Sequence, residues 1–328
     1  MAVRMRTARL LSDPAVIVRA EDYLKAVHHD IVCHSCRCTV HGTPAYERNQ
    51  NGRQVQVRAF FSVSAGIRHK ENCRFNVQRT IDLLVAQSSK IRSLDEDAVP
   101  LLTRESGSKK AEFRLHIMMD CLRAGSPSTL AASDPERIAH QTIGGHYVRS
   151  DRVLRSYLNT IKSLLAFIAR LEGSDALSEH VTFKYGKLTI KWSDFFFDHH
   201  QLGALCEKLT AMNEKGESYH PVAFVLKAEK SQAGDKQSGD TPIKLNRDLL
   251  RFKGQKLSLF TMLYVVPDFL VPLIQRAEYI LICAVPRRLR AIKRATSEDQ
   301  RKGRNDSLGL HVRISTSAQI CRFSPTEA

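Results

Sequence analysis

Four residues offer a defined chemistry: Cys33 and Cys36 in one short pair, His69 and Cys73 in another. Thiolate and imidazole donors in two such pairs, Cys-x-x-Cys and His-x-x-x-Cys, are the ligand set of tetrahedral Zn2+. Cys33 and Cys36 can wrap an ion from a single turn, and the spacing of His69 and Cys73 fits the entrance of a helix. Four protein donors close the coordination sphere and leave no position for a water, so the metal expected here is structural rather than catalytic. Cys38, His34 and His41 crowd the first pair, and each is a candidate to replace a ligand. The competing reading is of ordinary buried cysteines beside a surface histidine. A Cys-x-x-Cys also serves redox pairs, but no thioredoxin-like pattern surrounds this one.

The segments around the four residues have to bring them together. Ile31-Val32 runs straight into Cys33 as the end of a short strand, preceded by a strand at Ala15–Val18 and a short helix at Ala20–Val27. Between the pairs the texture is β: Gln54–Arg58 alternates polar and apolar, Asn49–Gly52 is a turn signal, and Ala59–Val63 continues the strand. After Cys73, the apolar residues Val77, Ile81, Leu84 and Val85 recur with helical period. The second ligand pair therefore sits where a strand region gives way to a helix.

Charge is the outlying property of the whole chain. Over 328 residues, 50 Lys and Arg stand against 34 Asp and Glu, a net charge of +16. Such an excess favours a polyanionic partner, nucleic acid before others, with DNA expected ahead of RNA, because each neutralised phosphate releases condensed counterions. An acidic protein partner or a membrane surface is the alternative. The basic N-terminus lacks an apolar core behind it, so no secretory signal is expected. The apolar region Phe260–Pro286 is interrupted by Pro267, Asp268, Pro272, Arg276 and Glu278, which excludes a helical membrane span. Cys121, Cys206, Cys283 and Cys321 are isolated rather than framed as disulfides, which is the cysteine usage of a reducing cytoplasm.

The stretch from Ala20 to Cys73, with Cys33-His34-Ser35-Cys36, Phe60-Phe61-Ser62 and His69-Lys70-Glu71-Asn72-Cys73, resembles the N-terminal zinc-finger region of competence CoiA-like proteins and related proteins of bacterial mobile elements. Members of that group commonly carry a His where Phe60 stands. The resemblance covers about the first quarter of the chain, and it implies zinc and a bacterial, nucleic-acid-related role. The group often adds a nuclease domain of the restriction-endonuclease type, which needs an Asp and a Glu-x-Lys on adjacent strands to hold Mg2+.

The remaining chain offers a weak version of that set: Lys227-Ala228-Glu229-Lys230, with Lys before Glu, and Asp194 upstream. A solvated charge cluster is the better reading of it, and a polar loop the better reading of Asp198-His199-His200. No phosphate-binding Gly-rich loop, nucleophile elbow or His-Glu-x-x-His is present, which excludes the commonest nucleotide hydrolase, serine esterase and zinc peptidase chemistries. A basic run follows at Arg287, Arg288, Arg290, Lys293 and Arg294, suited to tracking phosphates. Aromatic residues able to stack on bases, Phe183, Tyr185, Trp192, Phe195–Phe197 and Tyr264, are expected mostly in the core.

The pattern predicts an α+β protein in four parts. Residues 1–88 form a small zinc-ribbon-like module, and 89–173 a helical region with helices near 110–123 and 150–171. Residues 174–296 form a β-rich, barrel-like domain, and 297–328 a basic, partly disordered tail. The leading functional expectation is a nucleic-acid-binding accessory protein of a mobile element or plasmid, without catalysis of its own. A metal-dependent nuclease and a docking subunit of a larger complex are the alternatives.

Overall fold

The structure, a computed structural model, describes residues 4–50, 53–57, 59–118, 151–171, 175–215, 220–228, 232–233, 241–245, 248–252, 255–266, 270–292, 307–314 and 316–323. The chain divides into two compact units, one built on Met1–Leu83 and joined by Arg170–Val181, the other on Leu84–Ala169 and Thr182–Ser324. It is a mixed α/β protein with several small sheets.

In the first unit β1 (Thr7–Leu10) pairs with β2 (Ile17–Arg19) and β3 (Ile31–Val32). The strand β4 (Val40–Thr43) pairs with β7 (Phe60–Val63), and between them β5 (Tyr46–Gln50) and β6 (Arg53–Val57) form a hairpin with Gln50 opposite Arg53. Met5 bridges to Phe61, tying the start of the chain to β7. The helix expected at Ala20–Val27 is a series of turns. The reason lies in Tyr23, whose ring packs directly on Gly42 and edge-on to Phe61 at 5.4 Å. A side chain on residue 42 would occupy the ring's place, so this anchor, and not a helical face, fixes the segment. The helix expected after Cys73 is α1 (Val77–Ser89), with Ile81 and Leu84 buried.

The second unit opens with β8 (Leu102–Thr103) and β9 (Ala111–Arg114), which pair. A helix was the expectation over about 110–123; Leu115–Met118 are helical and 119–123 lie outside the described residues. Ahead of them Ala111 and Phe113 are buried while Glu112 and Arg114 stand on the other side, a period of two that fits a strand. The long helix α2 (Asp151–Arg170) forms as its periodicity predicts, burying Val153, Leu154, Tyr157, Ile161, Leu164, Leu165 and Ile168. Then β10 (Val181–Tyr185) and β11 (Leu188–Ile190) form the expected hairpin around Gly186, whose φ of +57° suits the tight turn. These two strands join β9 and β8 in one sheet, in the order β11-β10-β9-β8.

The core of the second unit lies between two further sheets. β12 (Phe196–Phe197), β13 (Val222–Lys227), β18 (Tyr279–Ala284) and β21 (Ile320–Phe323) form one, in the order β12-β13-β18-β21. β14 (Gln232–Ala233), β15 (Thr241–Lys244), β16 (Asp248–Phe252), β17 (Gln255–Val266), β19 (Pro286–Ile292) and β20 (Ser307–Arg313) form the other, with the order β14-β15-β17-β20-β19 and β16 also on β17. Helix α3 (Leu202–Glu214) adds Leu202, Leu205, Cys206 and Leu209 to a core shared with Phe224 and Ile282 of the first sheet and Leu259, Leu263 and Leu310 of the second.

Among the described residues these sheets do not close into the barrel that the number of strands suggested. A small barrel has one inner face. Val222–Leu226 and Ile280–Ala284 are instead buried residue after residue, so both faces of their sheet are covered. Cys283 lies on the second of those faces, with its sulfur 3.8 Å from Met118. The region expected as a basic, partly disordered tail contains β20 and β21, whose Leu308, Leu310, Val312 and Ile320 belong to the core. The alternation of Leu308, Leu310 and Val312 was legible, but the basic residues around it dominated the reading.

Tyr157 is fully buried, and its hydroxyl donates to the Val99 carbonyl at 2.7 Å. Tyr157→Phe leaves that carbonyl without its partner, and it is expected to lower unfolding free energy by about 1–2 kcal/mol in denaturant titration. An unchanged midpoint would show that this bond does not hold α2 in place.

Candidate metal centre

Cys33 leaves β3 and the chain turns back at once, with Val32 bridged to Thr39. Inside this turn the Arg37 N–H donates to the Cys33 carbonyl and the Cys33 N–H to the Cys38 carbonyl, both at 2.8 Å. Arg37 takes a φ of +60°, which lets the turn close after Cys36. On the other side, the loop carrying His69 and Cys73 ends at Asn76. The Asn76 side-chain oxygen accepts from the Arg79 N–H at 3.0 Å, capping α1, and its Nδ2 donates to the carbonyls of His69 and Lys70 at 3.4 and 3.2 Å. One side chain thus fixes both the helix start and the ligand loop. Sequence reasoning passed over it, although Asn just ahead of a helical period is the signal of an N-cap.

The donors converge. Cys33, Cys36, Cys38 and His69 place their ligand atoms all within 4.8 Å of one another, a group that could hold a metal ion. Cys73 Sγ lies 3.8 Å from Cys33 Sγ and 3.4 Å from His69 Nδ1. His69 Nδ1 also lies 3.5 Å from both Cys36 and Cys38. Cys33, Cys36 and His69 are thus common to the expected set, and Cys38 and Cys73 compete for the fourth place. The other two alternatives are turned away: His34 Nδ1 bonds Thr7 Oγ1 at 3.1 Å, and His41 Nε2 bonds Ser62 Oγ at 3.0 Å.

The two contenders differ in their surroundings. The main-chain N–H groups of Ser35 and Cys36 point to the Cys33 sulfur, and those of Cys38 and Lys70 to Cys36. Cys73 accepts from the Phe75 N–H at 3.4 Å and from the Ser35 hydroxyl. N–H donors of this kind steady a thiolate. Against the Cys38 sulfur lie Cys36, at 3.4 Å, and the Cys33 thiol. Tetrahedral zinc sets its sulfurs about 3.8 Å apart, from bonds of about 2.3 Å. The Cys33–Cys73 separation matches that edge, and Cys36–Cys38 falls short of it.

Proton affinities in the centre follow from these contacts. The thiol of Cys33 is held well above its ordinary value by its bond to Cys73 and by burial. That same bond holds Cys73 down, at about 3. Burial opposes the Cys36 thiolate, but bonds from His69 and from the Cys38 and Lys70 N–H groups outweigh it and lower Cys36. Burial, then the neighbouring Cys36, pushes Cys38 up to about 12. Burial disfavours a charged His69, yet its bonds to Cys73 and Cys36 raise it overall. Without metal, the sulfurs rely on bound protons and on the N–H donors around them.

Other expected sites fare differently. Phe183, Phe195, Phe196 and Phe197 are buried, and Phe183 stacks on Phe195 at 4.2 Å. Asp194 is bound to Lys208 Nζ at 3.1 Å. It precedes the Phe196–Ala223 pairing of parallel strands, whereas Lys227 ends β13 four residues beyond Ala223, about 13 Å along the strand. Glu229 and Lys230 lie outside the described residues. Asp198 Oδ1 accepts from the N–H groups of His200 and Gln201, a turn at the start of α3. Of the basic run, Arg287, Arg288 and Arg290 stand in β19. Lys293 and Arg294 lie outside the described residues. Among the described residues no helix is long and apolar enough to cross a membrane.

Comparison with family models, with curated proteins and with solved structures finds no match.

Because the Cys33 thiol carries a proton that a metal must displace, adding Zn2+ to metal-free protein at neutral pH is expected to release at least about one proton per ion. Calorimetry in buffers of different ionisation enthalpy measures this count. Binding without proton release, or no binding, would contradict the proton arrangement described.

Proposed function

We propose that this protein binds nucleic acid, DNA in preference to RNA, as a non-catalytic accessory protein of a bacterial mobile element or plasmid in the cytoplasm. We propose further that a structural Zn2+ held by Cys33, Cys36, His69 and Cys73 staples its N-terminal unit. The observation that carries the nucleic-acid reading is the net charge of +16 on 328 residues. A polyanion gives such a surface its largest favourable term, the release of condensed counterions. The mobile-element setting is supported by the resemblance of Ala20–Cys73 to the zinc-finger region of CoiA-like proteins. That group's nuclease chemistry gains no support from Asp194, which is engaged by Lys208.

For the metal, three sulfurs and one imidazole nitrogen are donors that zinc prefers, and four of them leave no open position. Cys73 is assigned ahead of Cys38 on two grounds. It carries N–H and hydroxyl donors on its sulfur, and it stands at a tetrahedral edge from Cys33. When bound, the ion supplies cross-linking alone, joining the turn after β3 to the loop before α1.

A second reading, docking within a larger complex, is favoured by the exposed apolar residues Leu11, Val16, Ile17, Leu24 and Val27, all within one short stretch of the first unit. Leu24→Ser with Val27→Ser should leave nucleic-acid affinity unchanged under the first reading.

Two measurements test the proposal. Elemental analysis should find about one zinc per chain, lost in Cys36→Ser and Cys73→Ser but retained in Cys38→Ser; retention in Cys73→Ser with loss in Cys38→Ser would reverse the ligand assignment. Affinity for a duplex or single-stranded oligonucleotide should fall steeply with salt, and at least about tenfold when Arg287, Arg288 and Arg290 are all changed to Glu. Affinity indifferent to both would sink the nucleic-acid reading.

A further inference from the structure

The six-stranded sheet turns one face to the core and presents another. Along β17 the residues Leu257, Leu259, Thr261 and Leu263 are buried, whereas Ser258, Phe260, Met262 and Tyr264 on the alternate side are half-buried. Parallel β20 sets Gly309 beside Phe260, His311 beside Met262 and Arg313 beside Tyr264. This outer side carries a row of rings. The end of the Phe260 ring packs over Gly309: a Cβ at residue 309 would come within 2.8 Å of that ring and 3.3 Å of His311 Nε2. His311 is stacked parallel to Tyr264, with ring planes 11° apart, and its Nδ1 is 2.7 Å from the Tyr264 hydroxyl. Glycine at 309 is thus the condition for Phe260 and His311 to come this close over the strand.

Basic positions frame the row on both sides. In the ladder, Arg290 is opposite Gly309 and Arg288 opposite His311 on β19, and Lys244 is opposite Met262 on β15. One line across four strands therefore reads Lys244, Met262, His311, Arg288, and the next reads Phe260, Gly309, Arg290. Aromatic rings in the middle strands with cationic positions on the flanking strands match the two components of a single-stranded nucleic acid, its unpaired bases and its phosphates. A duplex keeps its base faces stacked inside and has no use for the rings.

We infer that the outer face of this sheet, centred on Phe260, Tyr264 and His311 over Gly309, seats a single-stranded nucleic acid, its bases stacked on the rings and its phosphates neutralised from β19 and β15. This deepens the nucleic-acid reading proposed above and rests on it.

The test uses the full-length, zinc-loaded protein with a fluorescently labelled oligothymidylate of about 20 nucleotides and a mixed-sequence duplex of equal length. Single-strand binding tighter than duplex binding is expected, with Phe260→Leu and Tyr264→Leu each weakening the single strand about tenfold and leaving duplex affinity and zinc content unaltered. In case a variant does not fold, photocross-linking of the unmodified protein to a bromodeoxyuridine oligonucleotide is expected to label peptides from 255–266 or 307–313. Single-strand binding that both variants leave intact, tighter binding of the duplex, or cross-links confined to other segments would overturn this face as the seat while leaving the protein a nucleic-acid binder. Binding of neither oligonucleotide would overturn the broader reading, and this inference with it.

Discussion

Cys33 and Cys73 bring their sulfurs to 3.8 Å inside the first unit, with Cys36 and His69 beside them, and the local backbone answers to that convergence. Sulfur ligands become useful only as thiolates, and buried thiolates repel one another unless a cation or donors meet them. The turn after β3 provides main-chain N–H groups to Cys33 and Cys36. The loop before α1 provides the Phe75 N–H to Cys73, and Asn76 locks that loop to the helix. In a unit of short strands, two to five residues each, a cross-link between the turn after β3 and the loop before α1 is worth more than in a larger domain.

The second unit depends on a different constraint. Its four-stranded sheet is covered on both sides, and the six-stranded sheet lies against one of those sides through Leu259, Leu263, Leu308 and Leu310. That arrangement leaves the alternate residues of β17 and β20 out of the core. Gly309 then shapes what those residues present, because its lack of a side chain leaves room for the Phe260 ring. Fold and surface chemistry meet at that one residue: the same period of two that fills the core sets the ring row on the opposite side.

Much of this was legible in the residue pattern, and the exceptions have physical causes. The Cys and His pairs, α1, α2, the hairpin around Gly186 and the strands β13, β17 and β18 follow from spacing and periodicity. Tyr23 is not periodic with anything, since its partner Gly42 lies across the sheet, and so Ala20–Val27 read as a helix. Ala111–Arg114 read as helix because Phe113, Leu115, Ile117 and Met118 satisfy both periods over so short a run. The late strands β20 and β21 were obscured by the basic sequence before them. The contest between Cys38 and Cys73 could be named from spacing but not weighed, since the N–H donors that separate the two belong to backbone geometry.

The central claim is that Cys33, Cys36, His69 and Cys73 close around one zinc ion and thereby set the shape of the first unit. X-ray absorption at the zinc edge of the full-length protein reads the donors directly. The account predicts a first shell of about three sulfurs near 2.3 Å and one nitrogen near 2.0–2.1 Å, with no water oxygen. A shell of four sulfurs, or one containing water, would contradict it.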